Sequence, residues 1–289
     1  TSSASVTEIN TAGLQAIITS RGAARLVAPF AFGLVAILAG CASLPGQLQA
    51  AECPAYNSSE RVRVAYVYDG DTVKTEDGRR LRLIGINTPE LGQKGEPGQP
   101  LAETARSGLE NLLNDHANIL LLQHGKQKHD RYGRLLAHAF LENGKNVAAH
   151  LLRQGLATTS LVPPNDWGAQ CYQRIENIAR NARRGLWGMP HYRSRAAASL
   201  APDSSGFHLV NGRINASRRT RHNLWLQLDG PLSVQIPLEN ISGFNAYDFN
   251  TLTGSRIEVR GWIRQNGNRL TLKVQHPAAL VIMSGSYTP

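Results

Sequence analysis

Leu-Arg-Leu-Ile-Gly-Ile-Asn-Thr-Pro-Glu, residues 81–90, is the stretch whose reading decides the fold. It opens as a β-rich run and stops at Thr88-Pro89, because proline has no N–H for a sheet ladder and restrains the residue before it. Arg82 therefore projects from within a strand, while Asn87, Thr88 and Glu90 stand where that strand gives way to a loop. Upstream, Tyr68-Asp69-Gly70-Asp71-Thr72 reads as a turn between strand-like runs. Downstream, His129-Asp130-Arg131-Tyr132-Gly133-Arg134 supplies a second arginine. Oxygen ligands for a hard cation, a carboxylate near them and two guanidinium groups together suit chemistry on a phosphate.

Working outward, residues 61–68 and 72–75 read as strands joined by the Asp69-Gly70 turn, and residues 79–86 as a third strand. Three short strands with tight turns suggest a meander or small barrel. A Gly- and Pro-rich loop (92–100) leads to a helix with Pro100 in its first turn and Leu101, Ala105, Leu109, Leu112 and Leu113 on one face. Residues 119–123 return as a strand, 124–131 read as a basic loop, and 135–141 as a further strand. Asn146 is placed to cap a helix ended by Gly155, and a third helix is expected over 166–184. Trp167 and Trp187, flanking it, read as core, and His124, His129 and His138 as loop and strand residues too irregular for a zinc-protease motif.

After residues 193–206, which read as a linker, the chain turns β-rich again at 207–216, 223–228, 232–237, 256–264 and 269–274, with a short helix expected near 244–250. Five strands with a helix between the third and fourth is the order of an OB-fold. The expected fold class is mostly β with α: a five-stranded OB-like barrel with three helices, then a second small OB-like barrel. The expected domains are a leader (1–41), a tether (42–59), a first domain (60–192), the linker (193–206) and a second domain (207–289).

Lys and Arg outnumber Asp and Glu by 31 to 21, a net charge of +10 that favours an anionic partner, nucleic acid or membrane surface. Residues 26–41 form an apolar run behind Arg21 and Arg25, short for a transmembrane span and flanked like an export signal. Its end, Leu38-Ala39-Gly40-Cys41, resembles the bacterial lipoprotein box, in which the cysteine is lipidated; a cleaved signal peptide and an uncleaved anchor are the alternatives. Lipidation of Cys41 would leave Cys53 and Cys171, which in an exported protein pair most simply as a disulfide, two free buried thiols being the other reading. Export would place the chain in the periplasm or at the cell surface, membrane-anchored through Cys41.

Asp69-Gly-Asp71-Thr72, Arg82-Leu-Ile-Gly-Ile-Asn87-Thr88-Pro89-Glu90 and Asp130-Arg-Tyr-Gly-Arg134 resemble the three motifs of the staphylococcal nuclease-like (thermonuclease) family, in the same order and at similar spacing. The segment 147–157 is similar to that family's helix after the last barrel strand. The resemblance covers roughly residues 60–190 and implies an OB-like barrel with three helices and Ca²⁺-dependent cleavage of DNA and RNA, with Mg²⁺ or another divalent ion as the alternative cofactor. It implies that Asp71 and Asn87 ligate the metal through their side chains, Thr88 through its carbonyl, and Asp69 from the outer shell through water. Glu90 would orient or deprotonate the attacking water, and Arg82 and Arg134 would hold the phosphate.

Two departures stand out. The family usually has Asp where this chain has Asn87, which removes a formal charge from the metal site. Leu161-Val162-Pro163-Pro164 replaces a tyrosine-containing stretch that stacks on the nucleotide in the type member. The expected partners are DNA and RNA and the membrane through Cys41, with a monomer and no protein partner. The competing functions are a catalytically weakened or inactive nuclease-like nucleic-acid-binding protein and an envelope module whose basic surface meets lipid headgroups or an anionic polymer. In the second domain, Arg218, Arg219 and Arg221 precede Trp225, and Trp262 lies beside Arg264, a pattern that fits single-strand binding or, equally, a solvated turn with buried tryptophans.

Overall fold

The computed structural model describes residues 52–283 except Tyr56, Gln93, Lys94, Glu96 and Asn268. The leader, most of the tether and Cys41 lie outside the described residues. The first barrel is built from β1 (Glu60–Val67), β2 (Thr72–Thr75) and β3 (Arg80–Leu83), after which β4 (Gly85–Asn87) leaves it. Helix α1 (Ala102–Asn114), β5 (Ile119–His129), β6 (Leu135–Phe140), α2 (Val147–Gln154), β7 (Thr158–Ser160) and α3 (Ala169–Asn181) follow. The strands close in the order β1-β2-β3-β6-β5, and β3 and β6 run parallel. Val73, Leu81, Leu83, Leu120, Leu122 and Ala137 fill its interior, and Leu109, Leu113, Leu151 and Leu152 bring α1 and α2 against it.

The expected single strand over 79–86 is divided. Gly85 takes φ 92°, which turns β4 out of the barrel to pair antiparallel with β7, setting Asn87 opposite Thr158. Tyr172 packs where a side chain at position 85 would lie. Helix α1 starts after Leu101, which is left-handed at φ 65°, so Pro100 precedes the helix instead of opening it. The basic segment 124–129, expected as a loop, continues β5 to His129. Helix α3 is shorter than expected, starting after the left-handed Gly168 and ending before Arg183 at φ 51°. Asn146 does cap α2, its side chain accepting the Ala149 N–H at 2.9 Å, and Gly155 closes the helix in the left-handed region.

Cys53 and Cys171 form a disulfide that ties the start of the described chain to α3 across 118 positions. Asn146 sits beside it, donating to the Cys53 carbonyl and to the Tyr172 hydroxyl, both at 3.1 Å.

The stretch expected as a linker is packed: β8 (Arg195–Ala196) runs beside the next strand, and Ala197 and Leu200 enter the second core. That core belongs to a second barrel of β9 (Gly206–Arg219), β10 (Asn223–Leu228), β11 (Leu232–Pro237), β12 (Arg256–Asn266) and β13 (Arg269–Lys273), with β14 (Leu280–Met283) added beside β12. A 3₁₀ turn over Leu238–Phe244 stands near the expected short helix. The barrel closes where β12 pairs with β9, and β11 and β13 run parallel. Both barrels thus have the same strand order, first-second-third-fifth-fourth.

The barrels meet through a third cluster in which Ala179, Leu186 and Trp187 pack with Tyr192, Phe207 and Leu209. Two ion pairs flank it, Arg180–Glu258 at 2.7 Å and the buried Arg260–Glu176 at 2.6 Å. Among the described residues no helix is long and apolar enough to cross a membrane.

Candidate active site

The Asp69-Gly70-Asp71 turn joins β1 to β2 and lies directly on the loop after β4. A Cβ at Gly70 would stand 2.8 Å from Thr88 Cγ2 and 2.9 Å from Ala105 Cβ, so only glycine lets the turn come this close. The approach carries Asp71 to Thr88, whose N–H and hydroxyl both donate to Asp71 Oδ2, at 2.9 and 3.1 Å. On the other oxygen, Asp71 Oδ1 accepts the Thr72 hydroxyl at 3.0 Å and pairs with Arg82 Nε at 3.0 Å. Pairing of β2 with β3 sets Thr72 opposite Arg82, which explains how a strand arginine reaches the turn before it.

Asp69 accepts the Asp71 N–H at 2.9 Å. Burial, and then the charge of Asp71, push the Asp69 carboxyl up to about 6. Glu90 is open to solvent at its edge, yet desolvation and the Asp71 charge raise its carboxyl too, against the pull of Arg82 and Arg134. Its backbone is clamped: Gln99 Oε1 accepts the Glu90 N–H at 3.0 Å, and Glu90 accepts the Gln99 N–H at 2.9 Å. Arg134 is held from below by Asp130, Nε to Oδ2 at 2.7 Å, and its guanidinium lies 5.6 Å from the ring of Tyr132. Burial raises the Asp130 carboxyl, but the bonds from Arg134 and from the Arg134 and Tyr132 backbone outweigh it and leave it below its ordinary range.

The structure thus gathers Asp69, Asp71, Thr88, Arg82, Glu90 and Arg134 into one charged cluster, with Asn87 beside it at the end of β4. Asn87 Nδ2 donates to the Thr88 carbonyl at 3.2 Å. Sequence reasoning passed over Gln99, whose loop position gives no signal, and the ring of Tyr132, 67% exposed beside Arg134. It also left Asp130 unassigned, although its i, i+4 spacing to Arg134 is legible.

Hard oxygen donors whose carboxyls are raised by burial and then by a neighbouring carboxylate are what a divalent cation relieves, so the donor chemistry fits one. Among the described residues no three His, Cys, Asp or Glu side chains are grouped to hold a metal by themselves. A cation here would need oxygens besides carboxylates, and the Asn87 amide and the Thr88 carbonyl stand beside the cluster.

The family described as "Staphylococcal nuclease homologue" matches residues 80–189, which takes in β3 through α3 and begins after Asp71. The thermonuclease of Staphylococcus hyicus is 32% identical over 136 residues, 45% of this chain and 78% of that protein. The chain belongs to the staphylococcal nuclease-like family. A second thermonuclease, from Staphylococcus intermedius, is 30% identical over 131 residues and 76% covered. The SPbeta prophage-derived endonuclease YokF of Bacillus subtilis is 33% identical over 128 residues, 43% of this nuclease-family chain and 43% of that protein. With 45% of the chain aligned to the first thermonuclease, more than half of this family member lies outside that likeness.

Proposed function

We propose that the chain is an exported, Ca²⁺-dependent phosphodiesterase that hydrolyses DNA and RNA, with the charged cluster at the β1–β2 turn as its active centre. The observation that carries this reading is that Asp71 is bonded at once to the Thr88 loop that leads to Glu90 and to the strand arginine Arg82, where the charges of Asp71, Arg82 and Arg134 act on the Glu90 carboxyl. Asp71, Asn87 and the Thr88 carbonyl would hold the cation, with Asp69 behind them. When bound, the ion supplies positive charge for the phosphate oxygens and acidifies water.

The chain's own groups do the rest. Arg134, braced by Asp130, presents its remaining N–H groups to a nonbridging phosphate oxygen. Arg82 is held by Asp71 through Nε and by the Leu83 carbonyl through one terminal nitrogen, and its other terminal N–H groups would serve a phosphate oxygen. Glu90, with its raised carboxyl, takes a proton from water as the water oxygen bonds to phosphorus; the ester P–O bond breaks and the leaving oxygen is protonated from solvent. The same reading extends to the cell: the Cys53–Cys171 disulfide supports an oxidising compartment, reached through a lipidated Cys41 on a monomeric protein. Residues 60–192 form the nuclease domain in this proposal, and 207–289 an accessory domain.

A specific observation favours the second reading, a nucleic-acid binder without catalysis: both Asp71 oxygens already have partners, and the neighbouring ligand position is the uncharged Asn87. Hydrolysis of single-stranded DNA by the full chain decides between them, in Ca²⁺, in Mg²⁺ and in chelator, beside Glu90→Gln and Asn87→Asp. Cleavage in Ca²⁺ that chelator abolishes, lowered by about 10²–10³ in Glu90→Gln, is the expected result. Asn87→Asp should tighten Ca²⁺ binding by calorimetry. Retention of DNA without cleavage under every metal would establish the binder instead.

A further inference from the structure

The outer face of the second barrel carries an arrangement that catalysis does not use. Strand register puts Arg218 of β9 opposite Trp225 of β10, Trp225 opposite Gln235 of β11, and Gln235 beside Lys273 of β13. One row along, Arg264 of β12 stands opposite Thr271. Alternation fixes the direction of these side chains, because Leu224, Leu226, Val234, Leu272 and Ile263 between them are buried in the barrel core. Trp262 is 42% exposed and braced edge-on by Phe207 at 6.4 Å, so an indole is held at the surface instead of folded into the core.

Charge on this face has one sign. Two grooves that share Trp225 and Thr271 run across it, with volumes of about 610 and 400 Å³, and neither is lined by an aspartate or glutamate. Among the described residues none of Arg218, Arg264, Arg269 and Lys273 forms an ion pair, whereas Arg260 on the same strand is consumed by Glu176. The larger groove reaches the first barrel, where residues 159–162 line it. Thr159 and Ser160 belong to β7, the strand paired with β4 and Asn87, Leu161 and Val162 follow it, and Asn165 ties the segment down through the Gln127 backbone at 2.9 Å. Among the described residues that line the groove on that side none is aromatic: the loop offers Leu161 and a 51% exposed Val162.

We propose that this face is a second nucleic-acid site, which takes single-stranded DNA or RNA by stacking bases on Trp225 and Trp262 while the unpaired cations follow the phosphates. A duplex hides its base faces and could use only the cations, and a recessed sheet offers a membrane no protruding surface; exposed bases satisfy both features at once. Its tryptophans and unpaired cations lie in the part of the chain outside the nuclease likeness, and the proposal does not depend on the catalytic reading. A strand lying in it would continue past β7 toward the β4 loop.

The test is fluorescence anisotropy of a labelled oligothymidylate with the full chain in mild detergent and chelator, so that no hydrolysis intervenes. Trp262→Ala should weaken binding about tenfold. Arg264→Ala with Lys273→Ala, all surface changes, should lower the slope of log affinity against log salt by about 1.4. Hydrolysis of a small chromogenic phosphodiester, too short to reach the second barrel, should be unchanged in both variants. Oligonucleotide affinity unchanged in both variants, or retention on anionic phospholipid vesicles without oligonucleotide binding, would overturn the proposal. Binding that responds as expected in a protein that cleaves nothing would remove the nuclease reading and leave this one standing.

Discussion

At the scale of single residues, the site is an arrangement of charges that the fold holds against their mutual repulsion. Asp71 is 5% exposed and is made tolerable by four donors, two hydroxyls, one backbone N–H and Arg82. His138 shows the opposite solution to burial, a group kept neutral. It shares a hydrogen bond of 2.9 Å with the Tyr172 hydroxyl, packs edge-on against Trp167, and burial pushes its imidazole down to about 3 from 6.5. Between those two values the unfolded chain binds a proton at this position that the folded chain does not. Stability is therefore full above about 6.5 and is lost as pH falls toward 3, by at most about 1.4 kcal/mol per pH unit. Urea midpoints taken from pH 7 to 4 should fall more steeply in the wild type than in His138→Gln, and parallel curves would show that this imidazole is not the group responsible.

At the scale of elements, the two-stranded ribbon of β4 and β7 is what separates Asn87 from the barrel and brings it beside the turn that carries Asp71. Its origin is one residue. Gly85→Ala would place a methyl against the Tyr172 ring on a backbone at φ 92°, and should cost about 2–4 kcal/mol in urea unfolding, with activity lost in parallel as the ribbon shifts. An Ala variant within about 0.5 kcal/mol of wild type would mean that β4 relaxes freely. This division was not legible beforehand, because residues 79–86 keep a β-rich composition straight through the glycine and only the approach of Tyr172, 87 positions on, shows why it turns. The β5 extension was missed for a related reason: residues 124–129 are polar and partly exposed, so no alternation marks them. By contrast β10 alternates half-buried and buried at every step, and its bounds were readable to the residue. The charged residues of the site were legible as motifs. Their pairing was not, because whether Arg82 faces Asp71 or a phosphate depends on a rotamer and on two threonine hydroxyls that no spacing encodes.

For the whole molecule, the junction between barrels rests on a buried charge. Glu176 is 2% exposed; one of its oxygens accepts the Thr159 N–H at 2.7 Å and the other pairs with Arg260, which also donates to the Ala278 carbonyl at 2.8 Å. Glu176→Gln keeps an acceptor for Thr159 and strands Arg260, at a cost of about 3–5 kcal/mol by chemical denaturation. Adding Arg260→Met should recover much of that, and no recovery would show that the loss lies at Thr159 instead. The same pair joins the second barrel to the strand beside Asn87, which is why the proposed outer groove and the charged cluster share one frame.

The common strand order of the two barrels has a consequence for how the chain is made. In each, the first strand waits for the fourth and the third waits for the fifth, so a nascent chain that has emerged only as far as Leu83 presents open edges on both sides. The first barrel closes only when Phe140 has left the ribosome, and Cys171 follows later still, so oxidation can seal this barrel but cannot guide its assembly. Contacts this distant in sequence form late and slowly.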